Sequence, residues 1–222
     1  MVNKIDKPRI KENAARIKRE GYTPVVPDLQ MGFIHNNVDC IGCRACEIAC
    51  KDKNGLAAGP RFRRVQYIEG GVFPNVFAFK VNMSCNHCAE PACLPACPTG
   101  AIWKRADNGV VDIDSTLCIG CRKCEAACPF GAPQYDPEEN TVKKCNMCID
   151  ELEAGRKPYC VAACMMRVLD VGPLNKIDAG TFETKVVGPH ENLVRQVRGM
   201  ADPDLTNPSI RFVPHSKGRL DE

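Results

Sequence analysis

Sixteen cysteines in four quartets constrain the fold of this 222-residue chain more than any other feature of its sequence. The quartets are Cys40, Cys43, Cys46 and Cys50; Cys85, Cys88, Cys93 and Cys97; Cys118, Cys121, Cys124 and Cys128; and Cys145, Cys148, Cys160 and Cys164. This cysteine content is far above normal usage, and a pattern that recurs along a chain indicates repeated structural units. The chemistry of the protein therefore depends on what the cysteines bind.

The first quartet has the spacing Cys-x2-Cys-x2-Cys-x3-Cys, and the third repeats it with Pro129 after its last cysteine. This is the run that binds [4Fe-4S] clusters in bacterial ferredoxins, where the fourth cysteine ligates the other cluster. Three thiolates so close together can reach three irons of one cube, whereas the fourth points away. We therefore expect four [4Fe-4S] clusters as cofactors, with all sixteen cysteines as their iron ligands.

Three other uses of cysteine fit this pattern less well. Structural zinc sites use two separated Cys-x2-Cys pairs, or mixed Cys and His ligands, around one ion. Disulfides need pairs of cysteines in a specific geometry, and such dense runs offer few unstrained partners. A thiol–disulfide exchange site normally uses a single Cys-x-x-Cys pair.

Composition and charge exclude other broad classes. Hydrophobic residues make up 44% of the sequence and charged residues 26%, which is ordinary for a globular protein. The first twenty residues carry a net charge of +4 and the whole chain +3, so the remaining residues sum to −1. A body so close to neutral argues against nucleic-acid binding, which normally needs a basic face. No apolar stretch is long enough to span a membrane, and we expect no secretion signal.

The segments between the quartets predict short strands. A β-prone run precedes the first three quartets, at residues 32–35, 76–81 and 110–113, and a short one follows the second and fourth quartets, at residues 101–103 and 168–171. Residues 107–109 are Asp-Asn-Gly, a hairpin signal because Asn and Gly tolerate positive φ. Asp136-Pro137, shortly before Thr141, predicts a second hairpin. Each unit is expected to contain a strand, a cluster loop, a short helix and a strand.

Both ends of the chain look extended. Residues 9–20 predict an amphipathic helix, which is either an exposed helix with a solvated basic face or a partner-docking arm. Flanking prolines favour the arm. The proline-containing tail after residue 175 is expected to wrap a neighbour, and we interpret Arg63 and Arg64 as surface or partner-facing charge.

Few other residues predict chemistry. His87 lies inside the second quartet and is interpreted as a structural or potential-tuning neighbour rather than a ligand. Lys51, Arg122 and Lys123 flank cysteines and would favour the reduced state of a cluster. No Ser/His/Asp order, paired carboxylates or phosphate-binding glycine loop stands out. We therefore expect a non-catalytic subunit, in which several close clusters conduct electrons.

The second and third quartets and their neighbours resemble a known family. The matching segments are Cys85-Asn86-His87-Cys88, Pro91-Ala92-Cys93, Cys97-Pro98-Thr99-Gly100-Ala101, Cys118-Ile119-Gly120-Cys121-Arg122 and Cys128-Pro129-Phe130-Gly131-Ala132-Pro133-Gln134-Tyr135. Over residues 31 to about 175 the chain is similar to the iron–sulfur subunit of anaerobic dimethyl sulfoxide reductase, in the molybdopterin oxidoreductases. The resemblance implies a molybdopterin catalytic subunit and a quinol-oxidising membrane anchor as partners, both on other polypeptides.

The resemblance also implies four ligand sets with exchanged fourth cysteines. The sets are Cys40, Cys43, Cys46 and Cys164; Cys145, Cys148, Cys160 and Cys50; Cys85, Cys88, Cys93 and Cys128; and Cys118, Cys121, Cys124 and Cys97. In family order, the first quartet's cluster faces the catalytic subunit and the third quartet's cluster faces the membrane. Relatives of the nitrate reductase type have Trp where this chain has Cys121, so four complete cubes are expected here. The sequence departs from the pattern after Cys164, where Met165 replaces proline.

These observations predict an α+β fold with two bacterial-type 2[4Fe-4S] ferredoxin-like modules. The expected divisions are an N-terminal arm (1–30), a discontinuous first module (31–81 with 142–175), a second module (82–141) and a C-terminal tail (176–222). The expected function is electron transfer between the membrane anchor and the catalytic subunit. The alternative is a free-standing polyferredoxin that serves soluble redox enzymes. The resemblance implies membrane association through partners and export with the catalytic subunit, with a cytoplasmic complex as the alternative.

Overall fold

The computed structural model describes residues 29–186 and 192–220, so the helix predicted over residues 9–20 lies outside the described residues. The fold mixes short helices and strands, as expected. The helices are α1 (Ala45–Lys53), α2 (Lys123–Ala127), α3 (Ile149–Glu153), α4 (Tyr159–Ala162) and α5 (Leu174–Asp178). The strands are β1 (Met31–Asn36), β2 (Arg64–Val72), β3 (Asn75–Met83), β4 (Ile102–Lys104), β5 (Val111–Ile113), β6 (Gln134–Asp136), β7 (Thr141–Lys143), β8 (Leu169–Pro173) and β9 (Ile210–Val213).

A three-stranded sheet with the order β8-β1-β9 forms the largest core. Strand β1 lies in the middle, antiparallel to β8 and parallel to β9. Its apolar residues Phe33 and Ile34 are buried, at 0% and 1% exposure. The strands predicted near residues 32–35 and 168–171 are therefore confirmed, and they pair with each other.

The prediction that the C-terminal tail is extended and wraps a neighbour is wrong for β9. Strand β9 completes the central sheet, and Ile210 and Phe212 are both fully buried. Alternation of apolar residues with Arg211 is a strand signal, but the surrounding prolines led to the prediction of an extended segment. The apolar area that β1 would otherwise expose explains why the strand folds back onto it.

Within residues 29–186 and 192–220, three two-stranded hairpins complete the sheets. Strands β4 and β5 pair as the Asp-Asn-Gly signal predicts, and β6 and β7 form the second predicted hairpin. The β6–β7 hairpin spans residues 134–143, so the expected module boundary at residue 141 falls inside it. The longest ribbon joins β2 and β3, whose nine-residue strands bury Phe79 and Val81 at their base.

Cysteines belong to the hydrophobic cores themselves. The core around the central sheet includes Cys46, Cys88 and Cys160, while a second core packs Cys93 and Cys124 with short apolar strands. The elements around the second core are only three to five residues long. Such short elements bury little area, so the groups that the cysteines bind must contribute to this part of the fold.

Among the described residues, no helix combines the length and the apolar character that a membrane crossing would require.

Candidate metal centres

The first and third quartets have almost the same local backbone. In the first, Gly42 and Arg44 adopt positive φ values of 73° and 62°; in the third, Gly120 and Arg122 adopt 68° and 60°. Each arginine precedes a helix, α1 or α2. Left-handed residues turn the backbone sharply, so the loop curls and its first three cysteines can surround one volume.

The second and third quartets line two separate cavities. One has about 360 Å³ of empty space, part of it open to solvent, and is lined by Cys85, Cys88, Cys93 and Cys128. The other has about 310 Å³ on the same measure and is lined by Cys97, Cys118, Cys121 and Cys124. In each cavity three cysteines come from one quartet and the fourth comes from the other. The structure therefore brings Cys128 to the second quartet and Cys97 to the third.

The first and fourth quartets also meet. Cys40 and Cys46 both interact electrostatically with Cys164. Conversely, Cys50 interacts with Cys148 and Cys160 from the fourth quartet. The last cysteine of each quartet thus interacts with cysteines among the first three of the other, and Cys46 also interacts with Cys160.

The cysteines have the chemistry that iron–sulfur clusters require. All sixteen are free thiols, and among the described residues no group of His, Cys, Asp or Glu is placed to hold a single metal ion. Burial raises the pKa of Cys46 to about 11 and that of Cys50 to about 12. A buried thiolate needs positive charge nearby, and iron supplies it on binding. Four thiols around a cavity suit a cluster better than a single ion, so these residues fit the expected group.

Several sulfurs accept hydrogen bonds, which tune cluster potentials. Asn82 Nδ2 donates to Cys46 Sγ at 3.2 Å, and the backbone N–H of Val142 donates to Cys118 Sγ at 3.3 Å. Burial acts to raise the pKa of Cys97, but the Thr99 hydroxyl and nearby backbone N–H groups together outweigh burial, so its pKa is lowered. The sulfurs therefore lie in different electrostatic environments.

Solvent exposure separates the two outer sites from the two inner ones. Cys43 and Cys121 are the exposed cysteines, and each is the second cysteine of a Cys-Ile-Gly-Cys loop. By contrast, the fourth quartet is buried throughout. Cys145 interacts electrostatically with both Cys50 and Cys85, so the fourth site adjoins the second.

Arg63 contradicts the surface interpretation, because only 1% of it is exposed. Its guanidinium lies 4.4 Å from the centre of the Phe33 ring, and Nη1 donates to Asn82 Oδ1 at 3.0 Å. Arg64 is half-buried and donates to the carbonyl of Phe130. The burial of Arg63 was not predicted because it depends on a contact with β1, which is distant in the sequence. The signal that could have indicated burial is strand alternation just before β2.

Lys144 is a second buried cation that the sequence analysis did not single out. It is 5% exposed, and Nζ donates to the carbonyls of Val111 and Cys145.

Arg122, which the sequence analysis did single out, is exposed and pairs with Glu125. The expected effect of Arg122 on a cluster stays a prediction.

His87 is fully buried between the second quartet and β5. Its Nδ1 accepts a hydrogen bond from the backbone N–H of Val111 at 3.1 Å, and its carbonyl accepts one from Ser209 Oγ. Burial lowers the pKa of His87 well below its usual value, with Lys144 adding to the effect. These contacts give His87 a structural position next to the cluster loop.

Comparison with known proteins places this sequence among iron–sulfur proteins. Residues 76–174 match the family model of a 4Fe-4S dicluster domain. The B component of anaerobic dimethyl sulfoxide reductase from Haemophilus influenzae is 38% identical over 200 residues, covering 86% of this chain and 92% of that protein.

Two further relatives extend the comparison. The probable anaerobic dimethyl sulfoxide reductase component YnfG of Escherichia coli is 43% identical over 198 residues, covering 86% of this chain and 91% of that protein. The B component of sulfite dehydrogenase from Allochromatium vinosum is 44% identical over 146 residues, covering 56% of this chain and 61% of that protein.

Proposed function

Because this protein belongs to the family of iron–sulfur subunits that includes the B component of anaerobic dimethyl sulfoxide reductase, we propose that it relays electrons for a molybdopterin catalytic subunit through four [4Fe-4S] clusters. A bound cluster supplies a one-electron redox centre. The protein contributes the thiolates, the cavities and the surrounding charges. The chain itself performs no substrate chemistry in this proposal.

The position of the fourth cysteines beside the neighbouring quartet is the observation that carries the proposal. Two cavities are each lined by four cysteines. Cys128 of the third quartet lines the cavity of the second quartet, and Cys97 of the second quartet lines the cavity of the third. The interactions of Cys164 with Cys40, and of Cys50 with Cys148 and Cys160, support the same exchange between the first and fourth quartets. The proposed ligand sets are Cys40, Cys43, Cys46 and Cys164; Cys145, Cys148, Cys160 and Cys50; Cys85, Cys88, Cys93 and Cys128; and Cys118, Cys121, Cys124 and Cys97.

These sets define two proposed ferredoxin-like modules. The first combines the first and fourth quartets with the central sheet, and it gains β9 from the C-terminal segment. The second combines the second and third quartets with the β4–β5 and β6–β7 hairpins. Residues 1–30 remain a proposed partner-docking arm.

The proposed order of the relay is first, fourth, second and third site. The electrostatic interaction of Cys46 with Cys160 joins the first site to the fourth, and that of Cys145 with Cys85 joins the fourth to the second. The exposed cysteines, Cys43 and Cys121, then mark its two ends. We propose that the end at Cys43 faces the catalytic subunit and that the end at Cys121 faces a quinol-oxidising membrane anchor.

Metal analysis tests the central claim. Protein purified without oxygen should contain about sixteen irons per chain with equal acid-labile sulfide, because each of four cubes holds four irons. Stoichiometric zinc without sulfide would contradict the proposal. Isolation of the native complex tests the partners: a molybdopterin subunit and an anchor should co-purify, whereas a lone chain active with soluble redox enzymes would support a polyferredoxin.

Ligand exchange has its own test. Cys50→Ser should perturb the cluster of the fourth quartet, because Cys50 lies beside Cys148 and Cys160. Electron paramagnetic resonance of the reduced variant would report which cluster changes. Damage confined to the first quartet's cluster would show that the fourth cysteines are not exchanged.

A further inference from the structure

Arg63 is an unusual buried residue because its charge has no acidic partner in the part of the chain that the structure describes. The residue is 1% exposed, and no carboxylate within residues 29–186 or 192–220 forms an ion pair with it. Its Nη1 bonds to Asn82, but Nε and Nη2 have no hydrogen-bond partner. A buried cation with unsatisfied donors is costly unless an anion compensates it.

The titratable groups that interact with this charge are cysteines from two different quartets. Arg63 interacts electrostatically with Cys46 and Cys50 of the first quartet and with Cys145 and Cys160 of the fourth. In the proposed ligand sets Cys46 belongs to the first cluster and the other three belong to the fourth. The guanidinium therefore interacts with two sites whose bound thiolates would be anionic, and Asn82 links it by hydrogen bonds to Cys46 Sγ.

We propose that Arg63 is a fixed internal counter-charge, located between the first and fourth clusters, that raises the reduction potentials of both. This inference rests on the proposed function. Each cluster gains one electron on reduction, and no proton is required. The added negative charge is stabilised by a guanidinium that remains protonated in proteins.

Burial makes this charge more effective than the charges predicted from the sequence. Arg122 directly follows a cysteine, but its side chain is 58% exposed and Glu125 neutralises it. Water and salt screen such a charge, whereas a buried charge is screened much less. A guanidinium also offers five N–H donors in a fixed plane, so the two unpartnered nitrogens can donate to an anionic group.

A purely structural role is the competing explanation. Arg63 stacks on Phe33 and bonds to Asn82, and Asn82 in turn donates to Cys46 Sγ. If packing alone explained the residue, its replacement would change stability and leave the potentials of assembled clusters unchanged. The potential is therefore the deciding measurement.

The test compares Arg63→Gln, Arg63→Lys and the exposed control Arg122→Gln. Redox titration followed by electron paramagnetic resonance would measure each cluster, with iron and sulfide content determined on the same samples. Arg63→Gln should lower the one-electron reduction equilibrium constants of the first and fourth clusters at least tenfold, equal to 59 mV. The other two clusters should change less than threefold. Arg63→Lys and Arg122→Gln should change every cluster less than threefold.

Each outcome separates this inference from the proposed function. Unchanged potentials in a fully loaded Arg63→Gln protein would overturn the counter-charge and leave the relay intact. Wild-type protein without iron and sulfide would overturn the relay itself. If Arg63→Gln loses a cluster, Arg63→Lys decides: near-normal potentials support the charge, whereas a tenfold fall would show that charge is not what matters.

Discussion

The loops of the first and third quartets have nearly the same sequence, and their local structures repeat in detail. Both read Cys-Ile-Gly-Cys-Arg, and both expose the isoleucine: Ile41 at 54% and Ile119 at 62%. Each arginine also lies over a tyrosine ring, with Arg44 5.6 Å from the centre of Tyr67. In the third loop the corresponding distance is 5.2 Å.

The surroundings of the two loops differ. The first continues into the nine-residue α1, while the third continues into the five-residue α2. Exposed apolar side chains lie close in sequence to the first site, including Ile48 and Met165 at 67% exposure each. The comparison teaches that a short motif determines how the backbone curls around a site. The rest of the protein determines what surface the site presents.

Iron removal should have the largest effect and should expose the difference in surroundings. The second and third sites are held by strands of three residues, whereas the first lies beside the central sheet. After the iron is stripped, we expect residues 102–143 to lose protection from hydrogen exchange first, while β1 retains part of its protection. Equal loss of protection from hydrogen exchange in both regions would mean that the central sheet does not remain folded without the clusters.

Replacement of the exposed cysteines should interrupt the relay at opposite ends. Cys121→Ser should leave a three-iron cluster, and quinol-driven turnover should fall steeply while dye-driven turnover of the catalytic subunit survives. Cys43→Ser should lower quinol-driven turnover too, but the other three clusters should still be reduced by quinol. Rapid-freeze electron paramagnetic resonance distinguishes the variants, and the reverse pattern would invert the proposed polarity.

Alanine at the two loop glycines should destabilise the protein to different degrees. Positive φ costs a non-glycine residue about 1–3 kcal/mol at either position. The new Cβ of Gly42→Ala would meet the Tyr67 side chain, which can move, whereas that of Gly120→Ala would meet the backbone carbonyl of Asn140. Gly120→Ala should therefore cost more in the free energy of unfolding. Chemical denaturation without oxygen would measure this, and a larger loss for Gly42→Ala would refute the argument.

Removal of the two tyrosine hydroxyls should give the smallest effects. Tyr67 donates to the carbonyl of Gly42 at 2.9 Å, within the cluster loop itself, so Tyr67→Phe should cost about 1 kcal/mol. Tyr135 donates to the exposed side chain of Asn140, where water can replace it, and Tyr135→Phe should cost less than about 0.5 kcal/mol. Equal values from denaturation would remove this distinction between the loops.

Much of the local structure could be predicted from the sequence. The Asp-Asn-Gly and Asp-Pro signals identified both short hairpins, because turn residues report on their own backbone angles. The strands near the quartets were also predicted correctly. Cysteine spacing indicated the chemistry of the sites, since the reach of a thiolate is fixed by a few residues of backbone.

Other features required the tertiary structure. Arg63 was predicted to be a surface residue until its contact with Phe33 was known, and β9 was predicted to be tail until it paired with β1. Both depend on residues far apart along the sequence. The alternation over the four residues of β9 does not indicate which distant strand they will pair with. The pair Arg63-Arg64 likewise does not indicate which distant segment will bury Arg63.

The sequence by itself determined the four thiolate groups and the curled loops that carry them, because spacing and positive-φ positions act between neighbouring residues. The spacing and the family resemblance already predicted that fourth cysteines serve the neighbouring site, and the tertiary structure brings Cys128 to the cavity of the second quartet and Cys97 to that of the third. It also decided that Cys43 and Cys121 face solvent while Arg63 lies inside. Burial and long-range pairing are properties of how all segments pack together, so no single segment can encode them.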